Sequence, residues 1–501
     1  MYLLLPLSDM GKQKMFQRGD NIEVTIVSAA FGGKGIAKLA TDKGDFTVFV
    51  QNTYPGQRVN AQVVKCKNRY AECSLRSVIE ASPDEVETEF QRIPGAPYST
   101  FPIELQHKYK EDTALDLFER IGGVENVRDK YLGMVGSPSH QHYRNKMEYS
   151  FSEIRHDLES DEKVDDFGLG FKHRGTWWAV ENLDRDSGLF DKQIEDDIHK
   201  VRHWCEKTGL PAWHPPKREG FFRFFVIRRS IANNTLLINI VTTSGGEKAF
   251  VGSEFVEFIL GLWGDRVAGI LHTINDDIGE RVEAREGLSK LIYGVDRITE
   301  ELHGLKFDIS LSSFFQTNPQ CAEKLYSEVI KLAIEKDMGG EDDIVLDLFC
   351  GTGTISQLLA QHHKGEIIGV DIVESAIKDA RISATNNGSD NITFHRADVG
   401  KFLLDYPEYK GKIRTLVMDP PRAGISPKSL RKVIRLLADR MVYVSCNPAT
   451  QARDMATLEE NGYKLISIKL VDQFPHTAHV ESIALFERIP GSMPIINMRD
   501  H

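Results

Sequence analysis

The strongest constraint on this chain lies in its last third, where short apolar runs alternate with helical stretches. DIVLDLFC (343–350), EIIGVDIV (366–373), NITFHRADV (391–399), TLVMDPP (415–421) and RMVYVSCNP (440–448) are rich in Ile and Val. Strands of that composition separated by helices predict a parallel sheet covered by helices on both faces. Just upstream, NPQCAEKLYSEVIKLAIEK places Leu325, Val329 and Leu332 at helical spacing. This α/β domain is expected over 313–490, ending on the strand ESIALFERI.

The first of these strands runs into a glycine turn, with Gly351 and Gly353 ahead of a helix. Glycine lets backbone approach a ligand closely, and a helix start offers unpaired N–H groups. Asp371 ends the next strand, 371 − 353 = 18 residues beyond Gly353. That is near the spacing of a carboxylate that bonds a ribose. The third glycine of a dinucleotide fingerprint is missing, with Ser356 in its place, and Asp347 ends the strand. The pattern favours an S-adenosylmethionine site over a dinucleotide site or a mere packing turn. Asp398 and Asp419 end later strands of the series, and the prolines after Asp419 hold a rigid loop.

Cys446 ends an apolar strand at the edge where ligands gather in open α/β sheets, and Asn447-Pro448 break the strand there. A lone cysteine is usually a buried small apolar residue. At this edge a nucleophile is the alternative. A thiolate added to one end of a conjugated double bond turns the other carbon into a nucleophile for a methyl donor, and a base must later remove the proton from that carbon. DQFPHTAHVES (472–482) offers Glu481, His476 and His479 for that task, and the residues alone do not rank them.

Ahead of this domain, NIEVTIV, DFTVFV and QRVNAQVVKCK, separated by glycine turns, predict a small OB-like barrel over 18–78, with an SH3-like barrel as the alternative. Residues 79–312 read as a central α+β domain. SPDEVETEFQRI (82–93) has a cap-like Ser82 and predicts a helix, as does KYKEDTALDLFERIGG (108–123) with its closing glycines. KMEYSFSEI, GLGFKHRGTWWAV, FFRFFVIRRS, TLLINIVTT and RVAGILHTIND predict strands, and SDEKVDD (160–166) a solvated acidic loop.

The six cysteines form no CxxC pair, which argues against a zinc ribbon or disulfide framework and for free thiols. No apolar run approaches membrane-spanning length. MYLLLPL is too short for a signal core, and Met10 or Met15 is an alternative start. A cytoplasmic protein is expected. The net charge of −11 opposes wholesale nucleic-acid binding but allows a local basic channel.

SFFQTNP (313–319), LDLFCGTGT (346–354), VMDPPRAG (417–424), VYVSCNP (442–448) and DQFPHTAHVES together resemble the motifs of the RNA uridine-5-methyltransferase family, which includes 23S rRNA and tRNA enzymes. GKGIA and FVQNTYPGQRV are similar to the TRAM domain found in many of its members. The resemblance implies a class I methyltransferase domain, a central RNA-binding domain and an N-terminal barrel. It implies Cys446 as nucleophile and Glu481 as base. Gln316, Phe349, Thr354, Asp371, Asp398 and Asp419 match cofactor positions for S-adenosyl-L-methionine, and Phe314 matches an aromatic that stacks near the target base. RNA is the implied partner, ribosomal RNA ahead of transfer RNA, with no membrane and no obligate protein partner.

The chain departs from the 23S rRNA enzymes in one respect. RIPGAPYSTFPIELQ and WAVENLDRD lack the cysteines that hold an iron–sulfur centre in those enzymes, so no cluster and no metal are expected. RNA contact is expected from HYRNKMEY (142–149), with Arg144 and Lys146, and from GFKHRGTWW and FFRFFVIRRS, where cations mix with aromatics. The alternative is a set of strand faces whose aromatics are core. Two rival functions are an RNA-binding or folding factor and a small-molecule methyltransferase.

Overall fold

The structure, a computed structural model, describes residues 15–42, 44–158, 160, 162–246, 249–282, 288–334, 343–409, 411–492 and 494. MYLLLPL, Met10 and Asp161 of the acidic run lie outside the described residues. The chain divides into two compact units: one of residues through Thr88 with 97–114 and 476–478, the other of 89–96, 115–475 and 479 onward.

The first unit carries β1 (Asn21–Thr25), β2 (Ser28–Ala30), β3 (Lys34–Thr41), β4 (Gly44–Gln51), β5 (Arg58–Cys66) and β6 (Tyr70–Glu80), in the order β1-β5-β6-β4-β3-β2. The two end strands are halves of one extended segment. Ile26 N–H donates to Gln57 O and Val27 N–H to Ile36 O, each at 2.8 Å, so the segment bridges β5 and β3 and closes a barrel. Val24, Val48, Val50, Val59 and Val63 alternate inward to fill it.

The helix expected at 82–93 does not form. Ser82 makes a single turn, Glu85 N–H to Ser82 O at 3.0 Å, and the chain then runs extended, with Val86 N–H donating to Thr100 O at 2.7 Å. That bond to Thr100 takes the Val86 N–H away from the Ser82 carbonyl it would meet in a helix, and Pro94 bars any continuation beyond the segment. The second expected helix forms as α1 (Ile103–Arg120), and Gly123 follows it at φ 69°.

The second unit continues with α2 (Val127–Lys130), β7 (Tyr131–Val135), β8 (Lys146–Asp157), β9 (Glu162–Lys172), β10 (Val180–Asn182), α3 (Lys192–Lys207), β11 (Phe222–Arg229), β12 (Leu236–Thr242), α4 (Gly252–Trp263), β13 (Val267–Ile274) and β14 (Leu288–Gly294). These build a mostly antiparallel sheet, β10-β9-β8-β11-β12-β13-β14, in which β12 and β13 run parallel. The acidic run is not a loop: from Glu162 onward it is the start of β9. Arg155 on β8 holds Asp166 and Asp157, each at 2.7 Å, and the hairpin extends through the charges.

After the hairpin β15 (Ile298–Leu302) and β16 (Leu305–Ile309) come α5 (Pro319–Ile334), β17 (Ile344–Leu348), α6 (Thr354–Ala360), β18 (Ile367–Asp371), α7 (Glu374–Asn386), β19 (Ile392–Arg396), α8 (Phe402–Asp405), β20 (Ile413–Met418), α9 (Pro427–Ile434), β21 (Arg440–Ser445), α10 (Pro448–Glu460), β22 (Tyr463–Val471) and β23 (Glu481–Arg488). The second sheet has the order β19-β18-β17-β20-β21-β23-β22-β7. Its first five strands are parallel, and β23 enters antiparallel between β21 and β22. The eighth strand, β7, comes from far upstream and pairs with β22.

Candidate active site

The reversal at β23 assembles the site. Ser445 at the end of β21 faces Ser482 on β23 in antiparallel register. The pairing ends there, and the next residues on the two strand ends are Cys446 and Glu481, the first residue of β23, whose charge acts on the thiol. Ser482 Oγ donates to Ser445 O at 3.2 Å and to Gln451 Oε1 at 2.6 Å, so the two strand ends are tied together.

Asn447 fixes the turn after Cys446. Its Oδ1 accepts from Ala449 N–H at 3.2 Å, capping α10, and its Nδ2 donates to Arg422 O at 3.1 Å. The second bond joins the cysteine loop to the Asp419-Pro-Pro-Arg422 loop. Cys446 is half-buried, whereas the other five cysteines are buried.

Three carboxyls line this edge without cations enough to balance them. Burial, with Asp419 nearby, pushes Glu481 up to about 8, against the opposing pull of Arg422. Burial alone raises Asp419 to about 6. Asp347 is raised to about 7 by burial, partly offset by its bond from Ser356, with Asp419 and Asp371 adding repulsion. Among the described residues no side chain hydrogen-bonds the Glu481 or Asp419 carboxyl. Asp347 Oδ1 is buried and has no partner. Burial and the charges of Glu481 and Asp419 lift the Cys446 thiol to about 11, while Arg422 pulls it down.

Ser356, which replaces a fingerprint glycine, has a task of its own: its Oγ donates to Asp347 Oδ2 at 2.6 Å. Asp371 Oδ2 accepts from Gly351 N–H at 3.0 Å and its Oδ1 from Val373 N–H at 2.8 Å, which pins the glycine turn to the end of β18. Phe349 sits at φ 64°, Gly351 at 53° and Gly353 at 73°. A Cβ on Gly353 would lie 2.6 Å from the Phe394 ring, whereas the space before Gly351 is open. Thr354 opens α6 and is buried, and Asp398 is exposed beyond β19.

An open glycine turn, an orphaned buried carboxylate oxygen and unbalanced acids suit a ligand that carries positive charge. S-adenosylmethionine, with its sulfonium and ammonium groups, is such a ligand. The residues present fit it.

The loop before α5 is held from the other sheet. Asn145 Nδ2 donates to Gln316 O at 3.2 Å, Asn145 N–H to Thr317 O at 2.8 Å, and Arg228 Nη2 to Ser313 O at 2.9 Å. So anchored, Phe315 is buried and Phe314 is 73% exposed, which excludes a core role for Phe314. Of the competing bases, His479 is exposed, and the His476 ring is engaged by Gln106, its Nδ1 3.1 Å from Gln106 Nε2. Of the three, only Glu481 is both buried and acting on the thiol.

The expected basic channel is not presented as such. Lys146 pairs with Glu148 at 2.8 Å with its side chain 18% exposed, and Arg144 Nε donates to Lys146 O at 3.4 Å. Arg223 and Arg228 are buried. Arg229 reaches Asp191 at 3.1 Å, Lys172 pairs with Glu280 at 2.6 Å, and Arg174 bonds Pro94 O. These cations hold the protein together. Sequence reasoning misses Asn145 and Arg422, and nothing in the pattern marks Asn145.

A class I methyltransferase sheet with its glycine turn and a thiol–carboxylate pair at one edge defines an S-adenosylmethionine-dependent transferase. Comparison with known proteins narrows the class. The family model for tRNA (uracil-5-)-methyltransferase matches residues 263–489, and the TRAM domain model matches 16–75. An uncharacterized RNA methyltransferase of Chlorobaculum tepidum is 37% identical over 488 residues, covering 94% of this chain and 97% of its own. One from Clostridium acetobutylicum is 33% identical over 481 residues, covering 95% and 99%. Among solved structures, the Pyrococcus abyssi tRNA (uracil-54, C5)-methyltransferase in complex with S-adenosyl-L-homocysteine superposes with a TM-score of 0.66 at 25% identity, over 93% of this chain and all of that one. The chain belongs to the TRAM-containing RNA uracil-5-methyltransferase family and is an S-adenosylmethionine-dependent RNA methyltransferase. No helix among the described residues is long and apolar enough to cross a membrane.

Proposed function

We propose that this enzyme methylates carbon 5 of a uridine in 23S ribosomal RNA through a covalent bond between Cys446 Sγ and carbon 6 of the base. The observation that carries the reading is the buried Glu481 at the end of the β21–β23 pairing, beside Cys446 and acting on its thiol. S-adenosylmethionine, when bound, would supply the methyl group as an electrophile, its sulfur keeping the bond pair and leaving as S-adenosylhomocysteine. Gln316, Phe349, Thr354, Asp371, Asp398 and Asp419 surround it, and the acidic members balance its positive charge. Phe314, exposed on its anchored loop, stacks on the flipped base, an interaction worth about 1–3 kcal/mol.

The thiol gives its proton to the neighbouring Asp419 carboxylate as Sγ bonds to carbon 6. The carbon 5–carbon 6 π pair moves onto carbon 5 and the carbon 4 carbonyl. Carbon 5 then takes up the methyl group. Glu481 removes the remaining proton from carbon 5, the double bond re-forms, and the carbon 6–sulfur bond breaks to return the thiolate. Burial suits Glu481 to this task, since a carboxylate near 8 is a stronger base than an exposed one. The six free cysteines support a reducing, cytoplasmic setting.

A transfer RNA substrate is the second reading, favoured by the likeness to the archaeal tRNA enzyme. Incubation with methyl-labelled S-adenosylmethionine and separated ribosomal and transfer RNA pools tests both. Label at carbon 5 of uridine in ribosomal RNA supports the proposal, label in transfer RNA supports the second reading, and label in neither overturns both.

A further inference from the structure

With the arginines of β11 buried or paired, a chain of net charge −11 still needs cations where RNA meets the site. Between Pro420 and Ala438 there are five, Arg422, Lys428, Arg431, Lys432 and Arg435, and no Asp or Glu. Lys428, Arg431 and Lys432 on α9 and Arg435 at its C-cap fall at i, i+3, i+4 and i+7, with Lys428 and Arg431 exposed and Arg435 half-buried. At 100° per residue they form one stripe. Leu430, Val433 and Ile434 form the opposite, buried face.

The arrangement is unfavourable to the isolated protein. Like charges one turn apart repel, and Lys428 in the first turn opposes the helix dipole, although Arg431 and Lys432 in the last turn suit it. Asp439, the next acid in sequence, is taken by Arg414 at 2.8 Å and Arg488 at 3.1 Å. Lys428 and Lys432 make no ion pair among the described residues.

The stripe starts beside the chemistry. Ser426 caps α9 through Ser429 N–H at 3.1 Å, seven residues after Asp419. The loop between them is fixed at both ends, to the cysteine loop by Asn447 Nδ2 to Arg422 O and to α10 by Arg453 Nη2 to Ile425 O, each at 3.1 Å.

We propose that the cationic stripe of α9 binds the phosphate backbone of the RNA next to the target uridine, and so docks the strand at the mouth of the Cys446 site. The inference rests on the RNA reading above but not on the covalent step. Backbone phosphates suit it because the stripe offers repeated point charges and no aromatic on its face.

The test uses the full chain and a labelled, uridine-bearing RNA hairpin, with retention measured by filter binding across a salt series. Lys428→Glu with Arg431→Glu should weaken binding at least tenfold. It should also flatten the plot of log affinity against log salt by about 1.4–1.8, the change expected when two phosphates are no longer neutralised. S-adenosylmethionine affinity, read by calorimetry, should stay at the parent value and certifies the fold. If the double Glu variant fails to fold, Lys428→Gln with Arg431→Gln should show the same flattening. An unchanged slope overturns the proposal. So does an equal loss in Lys200→Glu with Lys207→Glu on α3, which would make the effect one of net charge. Binding needs no methyl transfer, so failure of the uridine-5 reading leaves this measurement standing.

Discussion

Both sheets of the second unit bury charge, and they differ in how much of it is bonded. In the antiparallel sheet most buried charges keep company, although burial still raises Glu195 to about 8 and leaves Arg228 Nε and Nη1 without a partner. Asp191 accepts from Arg266 at 2.6 Å and Arg229 at 3.1 Å, Glu195 accepts from Ser187 N–H and Oγ at 2.7 Å, and Arg223 donates to Asn275 O, Asp277 O and Gly279 O. At the edge of the second sheet, Asp347, Asp419 and Glu481 are raised together and bonded sparsely. Satisfied buried charge stabilises a fold, whereas unsatisfied buried charge is strained toward a ligand or a proton. Two cysteines on that edge sharpen the contrast. Cys350 follows β17 and Cys446 follows β21, but Cys350 is buried whereas Cys446 is half-buried.

The largest test of that contrast is Cys446→Ala. Methyl transfer should fall to background while S-adenosylmethionine binding stays at the parent value in calorimetry. Loss of cofactor binding would place the thiol in the fold and not in the chemistry. Glu481→Gln should slow turnover by about 10²–10⁴-fold and leave a protein–RNA adduct on denaturing gels. Full turnover there would remove Glu481 from its role.

On the other sheet the expected effect is on stability. Asp191→Ala strands Arg229 and Arg266 and should cost about 1–3 kcal/mol, seen as a lowered melting temperature with cofactor affinity unchanged. An unaltered melt would mean that this buried charge is as idle as a surface pair.

The smallest effect is a pH dependence. Burial raises Asp347 to about 7, Asp419 to about 6 and Glu481 to about 8, so the folded chain keeps protons that the unfolded chain loses near pH 4. Their contribution to stability is full below about pH 4 and is lost as pH climbs through 6 to 8. A bound cation lowers all three, so S-adenosylmethionine should bind several-fold more tightly at pH 8 than at pH 6 and should release protons. Calorimetry in buffers of different ionisation enthalpy reads this, and proton uptake would contradict it.

Much of the second sheet is legible in the sequence because each strand carries its own signal: Ile and Val runs, a glycine turn, prolines after Asp419. Strand β7 is not, since YLGMV is followed by no crossover helix and its pairing with β22, more than three hundred residues on, is decided across the fold. The arginines of FFRFFVIRRS mislead for a related reason. Strand β11 is covered on both faces, Phe224 and Val226 packing into one core and Phe225 and Ile227 into the other, so its charges fall inside. A sequence shows charge but not the second layer that covers it. Glu481 stands level with two histidines in the sequence because its advantage is a buried place beside Cys446, which only the antiparallel entry of β23 creates.

The most direct measurement uses RNA in which the target uridine is replaced by 5-fluorouridine. Fluorine cannot leave carbon 5 as a proton does, so the base cannot be released. The account predicts a stable complex in the presence of S-adenosylmethionine, with the methylated fluoropyrimidine attached to the peptide containing Cys446 in mass spectrometry. Absence of any adduct, or attachment at another residue, would contradict it.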